Sequence, residues 1–145
     1  RYIAFVGQAG IGLPDRDYYL KTDGKFPEYR DAYRAYIGKI FDLAGIEGGA
    51  AKADAILAFE TKIAEVHWTQ EDSRNIQKIY NPMTAAQLAA LAPEMNWALM
   101  FDNLGLASVP TYLVAQPSAI DKEAALFAAA DPAFLRDWLA FHFIN

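Results

Sequence analysis

The chain contains two histidines, His67 and His142, and no cysteine. Those counts limit its metal chemistry at once. A helical zinc hydrolase sets two histidines one turn apart in His-Glu-x-x-His, with the glutamate as base. That motif is absent here. Glu60, Glu65 and His67 share one predicted helix, and Glu60 and His67 lie two turns apart on one face. They could form a carboxylate–histidine ligand pair, but a hydrogen-bonded polar pair within helix packing explains them more simply. Nucleophilic chemistry has little to start from. Ser73, Ser108 and Ser118 are the serines, and none sits in a Gly-x-Ser-x-Gly elbow. GQAGIGLP (7–14) is glycine-rich but lacks the Gly-Lys-Ser/Thr ending of a P-loop and the glycine spacing of a dinucleotide fingerprint. It reads as a turn-rich approach to a helix.

Two polar clusters remain. In PDRDYYL (14–20), Asp15 can cap a short helix and Asp17 would lie in its first turn, where negative charge is favoured. Arg16 can tie the loop to a carboxylate or to carbonyls elsewhere. Tyr18 and Tyr19 add large faces with polar tips. In HWTQEDSRNIQKIYNPM (67–83), Arg74 lies among Glu71, Asp72 and Asn75. A buried carboxylate such as Glu60 needs compensation, and Arg74 or Arg16 could supply it. Residues 14–20 could form a substrate-facing loop, but both clusters read more simply as structural clamps: Arg16, Asp17, Tyr18, Tyr19, Glu60 and Arg74 are candidate architectural residues, with no catalytic, cofactor-binding or metal-binding residue among them.

These residues must be positioned mainly by helices. The chain is rich in alanine and poor in valine, which favours helix over strand. One helix is predicted from Pro27 to Ala44, with Tyr29, Tyr33, Tyr36, Ile37, Ile40, Phe41 and Ala44 on one face. A second runs from Ala50 to His67 after Gly48 and Gly49, and the short link suggests an antiparallel pair. Start signals at Thr69, Thr84, Asn96, Ser118 and Asp131 place further helices near 70–79, 84–91, after Asn96, 118–129 and 132–144. PTYLVAQ (110–116) and RYIAFV (1–6) are the candidate strands. The expected fold class is all-α: antiparallel helices with at most one or two short strands.

The length, 145 residues, supports a domain of ordinary size, and 54% apolar residues argue against disorder. A net charge of −5 argues against nucleic acid as a partner. No stretch is long and apolar enough to span a membrane. The first residue is Arg1, and the chain ends on the apolar run WLAFHFIN; both read as edges of a longer protein.

Taken in order, GLPDRDYYL (12–20), YRDAYRAYIGKIFDLAG (29–45), AFETKIAEVHWTQEDSRNIQKIYNPMT (58–84), the Trp97 region and VAQPSA (114–119) resemble the neprilysin and endothelin-converting-enzyme family of zinc metallopeptidases. The resemblance covers essentially the whole chain, and GLPDRDYYL and KIYNPMT are its most specific parts. It implies a bacterial, oligoendopeptidase-like member, a reading the absence of cysteine supports. It also implies that residues 1–145 are one segment of the non-catalytic, helical N-terminal domain, the catalytic zinc domain lying elsewhere in the protein. The implied zinc belongs to the intact enzyme and not to this segment. The implied partners are a peptide substrate and the catalytic domain of the same chain, in an extracytoplasmic setting. The alternative is a free-standing helical interaction module without activity. The last predicted helix carries Phe134, Leu135, Trp138, Leu139 and Phe143. It is expected to pair with another copy of the chain or to pack back on the helical pair.

Overall fold

The computed structural model describes residues 3–145; the start of the predicted first strand, residues 1 and 2, lies outside them. The fold is mainly helical, as the composition suggests, with nine helices and three very short strands among the described residues. It divides into two compact units, each assembled from two stretches of chain.

One unit comprises residues 10–65 and 130–145. It contains α1 (Asp17–Leu20), α2 (Phe26–Leu43), most of α3 (Gly49–Val66) and α9 (Pro132–Ile144). α2 begins at Phe26 and carries Pro27 in its first turn, where proline is tolerated. It ends before Gly45, whose φ of +71° favours a residue without Cβ. α2 and α3 form the expected antiparallel pair: Gly38 meets Gly49, Arg34 pairs with Asp54, and Tyr33 reaches Glu60. Any Cβ on Gly49 would stand 2.8 Å from the Gly38 carbonyl oxygen, so the helices cross where neither carries a side chain. Tyr33, Ile37 and Phe41 of α2 and Ala53 and Ile56 of α3 bury their apolar faces together.

α9 closes this core. Phe141 is fully buried against Tyr33 and Phe41, while Phe134 and Trp138 pack edge-on against Phe59. The last helix thus packs back on the helical pair. The residues turned inward are Phe134, Trp138 and Phe141; Leu139 and Phe143 of the predicted stripe are exposed, Phe143 at 92%.

The other unit comprises residues 3–9 and 66–129. Its sheet has the order β1 (Ala4–Val6), β3 (Tyr112–Val114), β2 (Pro82–Met83). β1 runs parallel to β3 with Ala4 opposite Tyr112, and β2 runs antiparallel with Met83 opposite Tyr112. β2 adds a third strand to the two expected. Around the sheet stand α4 (Gln70–Arg74), α5 (Ile76–Ile79), α6 (Ala85–Leu91), α7 (Trp97–Asn103) and α8 (Pro117–Ala129). Leu88, Trp97, Phe101, Tyr112, Val114 and Ile120 make its core, with Phe101 stacked on Tyr112 at 4.0 Å.

Two local expectations are corrected. The helix predicted over 70–79 is two helices, because the Asn75 side chain accepts from the Gln77 and Lys78 amides and starts a new one. Ser118 is not a cap. α8 starts at Pro117, the Gln116 carbonyl meets the Ala119 and Ile120 amides, and Ser118 Oγ accepts from Trp68 Nε1 at 2.7 Å. The Thr84 capping box forms in full, and Thr69, Asn96 and Asp131 each cap a helix.

Phe141→Ala should remove the contact that α9 makes at the centre of its unit. A loss of about 3–5 kcal/mol is expected, read as a fall in the urea midpoint. Phe143→Ala, at the exposed end of the same helix, should leave the midpoint nearly unchanged.

Candidate functional site

The densest polar site lies inside the unit that holds the helical pair. Glu60 sits on α3 with its side chain fully buried. A carboxylate taken out of water must recover its lost hydration from fixed donors. Four other parts of the unit supply them. Tyr19 of α1 donates its hydroxyl to Oε2 at 2.6 Å, and Tyr33 of α2 donates to the same oxygen at 3.0 Å. The Gly12 amide reaches Oε2 at 3.2 Å from the loop before α1. On the other oxygen, Nε2 of His142 from α9 stands 2.8 Å from Oε1.

The GLPDRDYYL loop is built to hold this arrangement. Tyr19 Oη accepts from the Gly12 and Leu13 amides at 3.0 and 2.9 Å while donating to Glu60. The loop backbone therefore grips the hydroxyl that grips the carboxylate. Position 12 has no room for a side chain: a Cβ there would fall 2.0 Å from Tyr33 Oη. Asp15 Oδ1 accepts from the Asp17 amide and shapes the first turn of α1. Arg16 donates from Nε to the Ala64 carbonyl at 3.2 Å, tying the loop to α3. Asp17 pairs with Lys21 at the surface, and Tyr18 packs edge-on against Phe26. The Tyr18 carbonyl accepts from Arg30.

Glu60 and Tyr19 are thus in direct contact, Arg16 ties the loop around them to α3, and the Asp17 side chain points to Lys21 at the surface. Arg74 belongs to the other unit, where it faces Gln70 at 3.4 Å. Neither arginine fills the place beside Glu60 that the sequence suggested for one. His142 fills it, from 82 positions along the chain, and only the fold reveals that partner. His67 has its partners within the other unit. Its Nε2 donates to the Ala9 carbonyl at 3.1 Å, with Glu123 Oε1 2.8 Å away as an electrostatic partner.

Burial, and then the Glu60 charge, raise the Tyr19 and Tyr33 hydroxyls well above the ordinary tyrosine range. Both phenols therefore stay protonated and act as donors. With these donors aimed at Glu60 and Glu60 closed to solvent, the cluster can lock four elements together. Nor do the residues suit a zinc ion. Each histidine is engaged with a different glutamate, and among the described residues no group of three or more His, Cys, Asp or Glu could hold a metal.

The N-terminal profile of peptidase family M13 matches residues 1–145. The chain belongs to peptidase family M13. M13 is a family of zinc metalloendopeptidases, and this M13 segment carries part of its N-terminal domain. It is 35% identical over 105 residues to Neprilysin-3 of Drosophila melanogaster, covering 71% of this chain and 13% of that protein. It is 40% identical over 95 residues to human endothelin-converting enzyme 1, covering 63% of this chain and 12% of that one. The fold resembles the Mycobacterium tuberculosis zinc metalloprotease Zmp1 in its open state. The TM-score is 0.88 with 31% identity, over 99% of this chain and 23% of Zmp1. The M13 segment thus spans about an eighth of the length of these animal relatives and under a quarter of Zmp1.

Two measurements test the clasp. Glu60→Leu should strand the Tyr19 and Tyr33 hydroxyl protons and the His142 imidazole, and cost about 3–5 kcal/mol of stability by chemical denaturation. A loss below about 1 kcal/mol would show that the donors find other partners. The phenols give the pH dependence. Their pKa values are raised on folding from the ordinary value of 10.0, so their contribution is complete below pH 10 and is lost as pH rises beyond it. The unfolding midpoint should fall above pH 10, and phenolate absorbance should show two tyrosines ionising only on unfolding.

Proposed function

We propose that this chain is one segment of the non-catalytic, helical N-terminal domain of a bacterial, extracytoplasmic zinc metalloendopeptidase. In that reading the domain closes over a catalytic domain of the same polypeptide and restricts its substrates to peptides. The observation that carries it is the match over 99% of the chain to a zinc metalloprotease, by residues whose polar groups are spent on internal locking. A wall needs rigid helices and satisfied buried groups rather than reactive ones. The clasp at Glu60 supplies the locking, and α2 and α3 supply a packed helical layer. A wall that excludes bulk water and folded proteins sets what reaches the reacting centre without taking part in the chemistry. Zmp1 has been solved in open and partially open states, which favours a domain that governs access. Among the described residues no helix is long and apolar enough to cross a membrane.

The full-length protein decides the matter. Its reading frame should encode His-Glu-x-x-His after this segment, and the purified protein should cleave short peptides in a chelator-sensitive manner while leaving folded proteins intact. A reading frame without that motif would sink the proposal. So would hydrolysis of folded proteins as fast as of peptides.

A further inference from the structure

The unit built on residues 3–9 and 66–129 has an open sheet edge. In the order β1-β3-β2, β1 lies at the margin, and no other strand among the described residues pairs with its outer side. The register shows which groups face outward. The Val6 carbonyl accepts from the Ala115 amide, and Ala4 and Val6 stand opposite Tyr112 and Val114. Peptide groups alternate along a strand, so those of Ala4 and Val6 face β3 while the N–H and C=O of Phe5 face outward. An unpaired edge of this kind is a template for another strand.

Beside the edge lies a groove of about 590 Å³. Ile3, Phe5, Met95 and Leu104 line it and are exposed, Phe5 at 59% and Leu104 at 62%. Among the described residues its one charged lining residue, Glu123, already has His67 beside it. The groove therefore calls for apolar side chains rather than a counter-charge.

We propose that the outer edge of β1 and this groove seat an added strand from another part of the same polypeptide. That strand pairs with the Phe5 peptide group and sets alternate apolar side chains against Ile3, Met95 and Leu104. The inference rests on the reading of this chain as a segment of a longer protein. It covers only 23% of Zmp1 and 13% of the fly relative, so most of a protein of either length lies outside it. A second copy fits less well. Two β1 strands laid antiparallel would exchange only the Phe5 hydrogen bonds, which would have to hold two separate molecules together, whereas a strand of the same polypeptide is already tethered at high effective concentration.

Amide hydrogen exchange on the full-length protein tests this with internal controls. Ala4 and Val6, whose peptide groups face β3, set the scale. The Phe5 amide should be protected to a similar degree, about a hundredfold or more over the free rate, and dilution should not change this. Free exchange at Phe5 alongside protected Ala4 and Val6 overturns the proposal, and protection lost on dilution assigns the edge to a second copy instead. Leu104→Cys should react with a maleimide about tenfold more slowly than Lys122→Cys, at an exposed polar position of α8. Equal rates would count against a covered groove. Neither readout depends on activity: a protected Phe5 in a protein without chelator-sensitive peptidase activity would overturn the functional reading and leave this one standing.

Discussion

The cost of burying the Glu60 carboxylate organises the unit around it. An ionised carboxylate removed from water would be severely penalised if left alone. Here the penalty is met by two phenols, one backbone amide and one imidazole, each from a different stretch of chain. That distribution gives the cluster its structural meaning. Each donor is useful only when its own element is in place, so the carboxylate enforces one arrangement of loop, helical hairpin and last helix. Apolar packing around Phe41 and Phe141 supplies bulk stabilisation but less direction.

The same reasoning describes how the Glu60 cluster spends its polar groups. Catalytic groups keep an unmet capacity directed at a substrate. Around Glu60 the donors are met internally, and the phenols are driven further from ionisation. The helical layer is shaped by what it must hold still, which suits a segment of an M13 protein that carries no metal cluster among its described residues.

Much of this was legible in the sequence because it is local. Thr84 with Gln87, Asn96 and Asp131 start helices through side chains that reach only two or three residues ahead. The stripe of Tyr33, Ile37 and Phe41 follows the helical period and buries where that period predicts. That Arg16 and Tyr19 carry polar groups able to bond across the fold was readable from residue type. Their partners were not, because Arg16 reaches the Ala64 carbonyl across 48 positions and Tyr19 reaches Glu60 across 41, as His142 reaches Glu60 across 82, and no periodicity spans such distances. Ser118 shows the opposite failure: its spacing to Asp121 fits a capping box, yet a distant indole claims the hydroxyl. Asn81 shows how a specific stretch can be explained only afterwards. In KIYNPMT its amide bonds the Lys78 and Val114 carbonyls, and its own carbonyl accepts from Val114, so it seats β2 beside β3.

The two-stretch construction of each unit bears on how such a protein is made. β1 emerges from the ribosome long before β3, and Glu60 long before His142. Neither unit can finish while its second stretch is still in the tunnel, so both half-built cores must persist through much of synthesis. During that interval Glu60 has Tyr19, Tyr33 and the Gly12 amide within reach but not His142, and the carboxylate must stay hydrated until α9 arrives. For the same reason no single cut in the gene releases either unit whole, and dissecting this region by simple deletion would leave one core without its final layer.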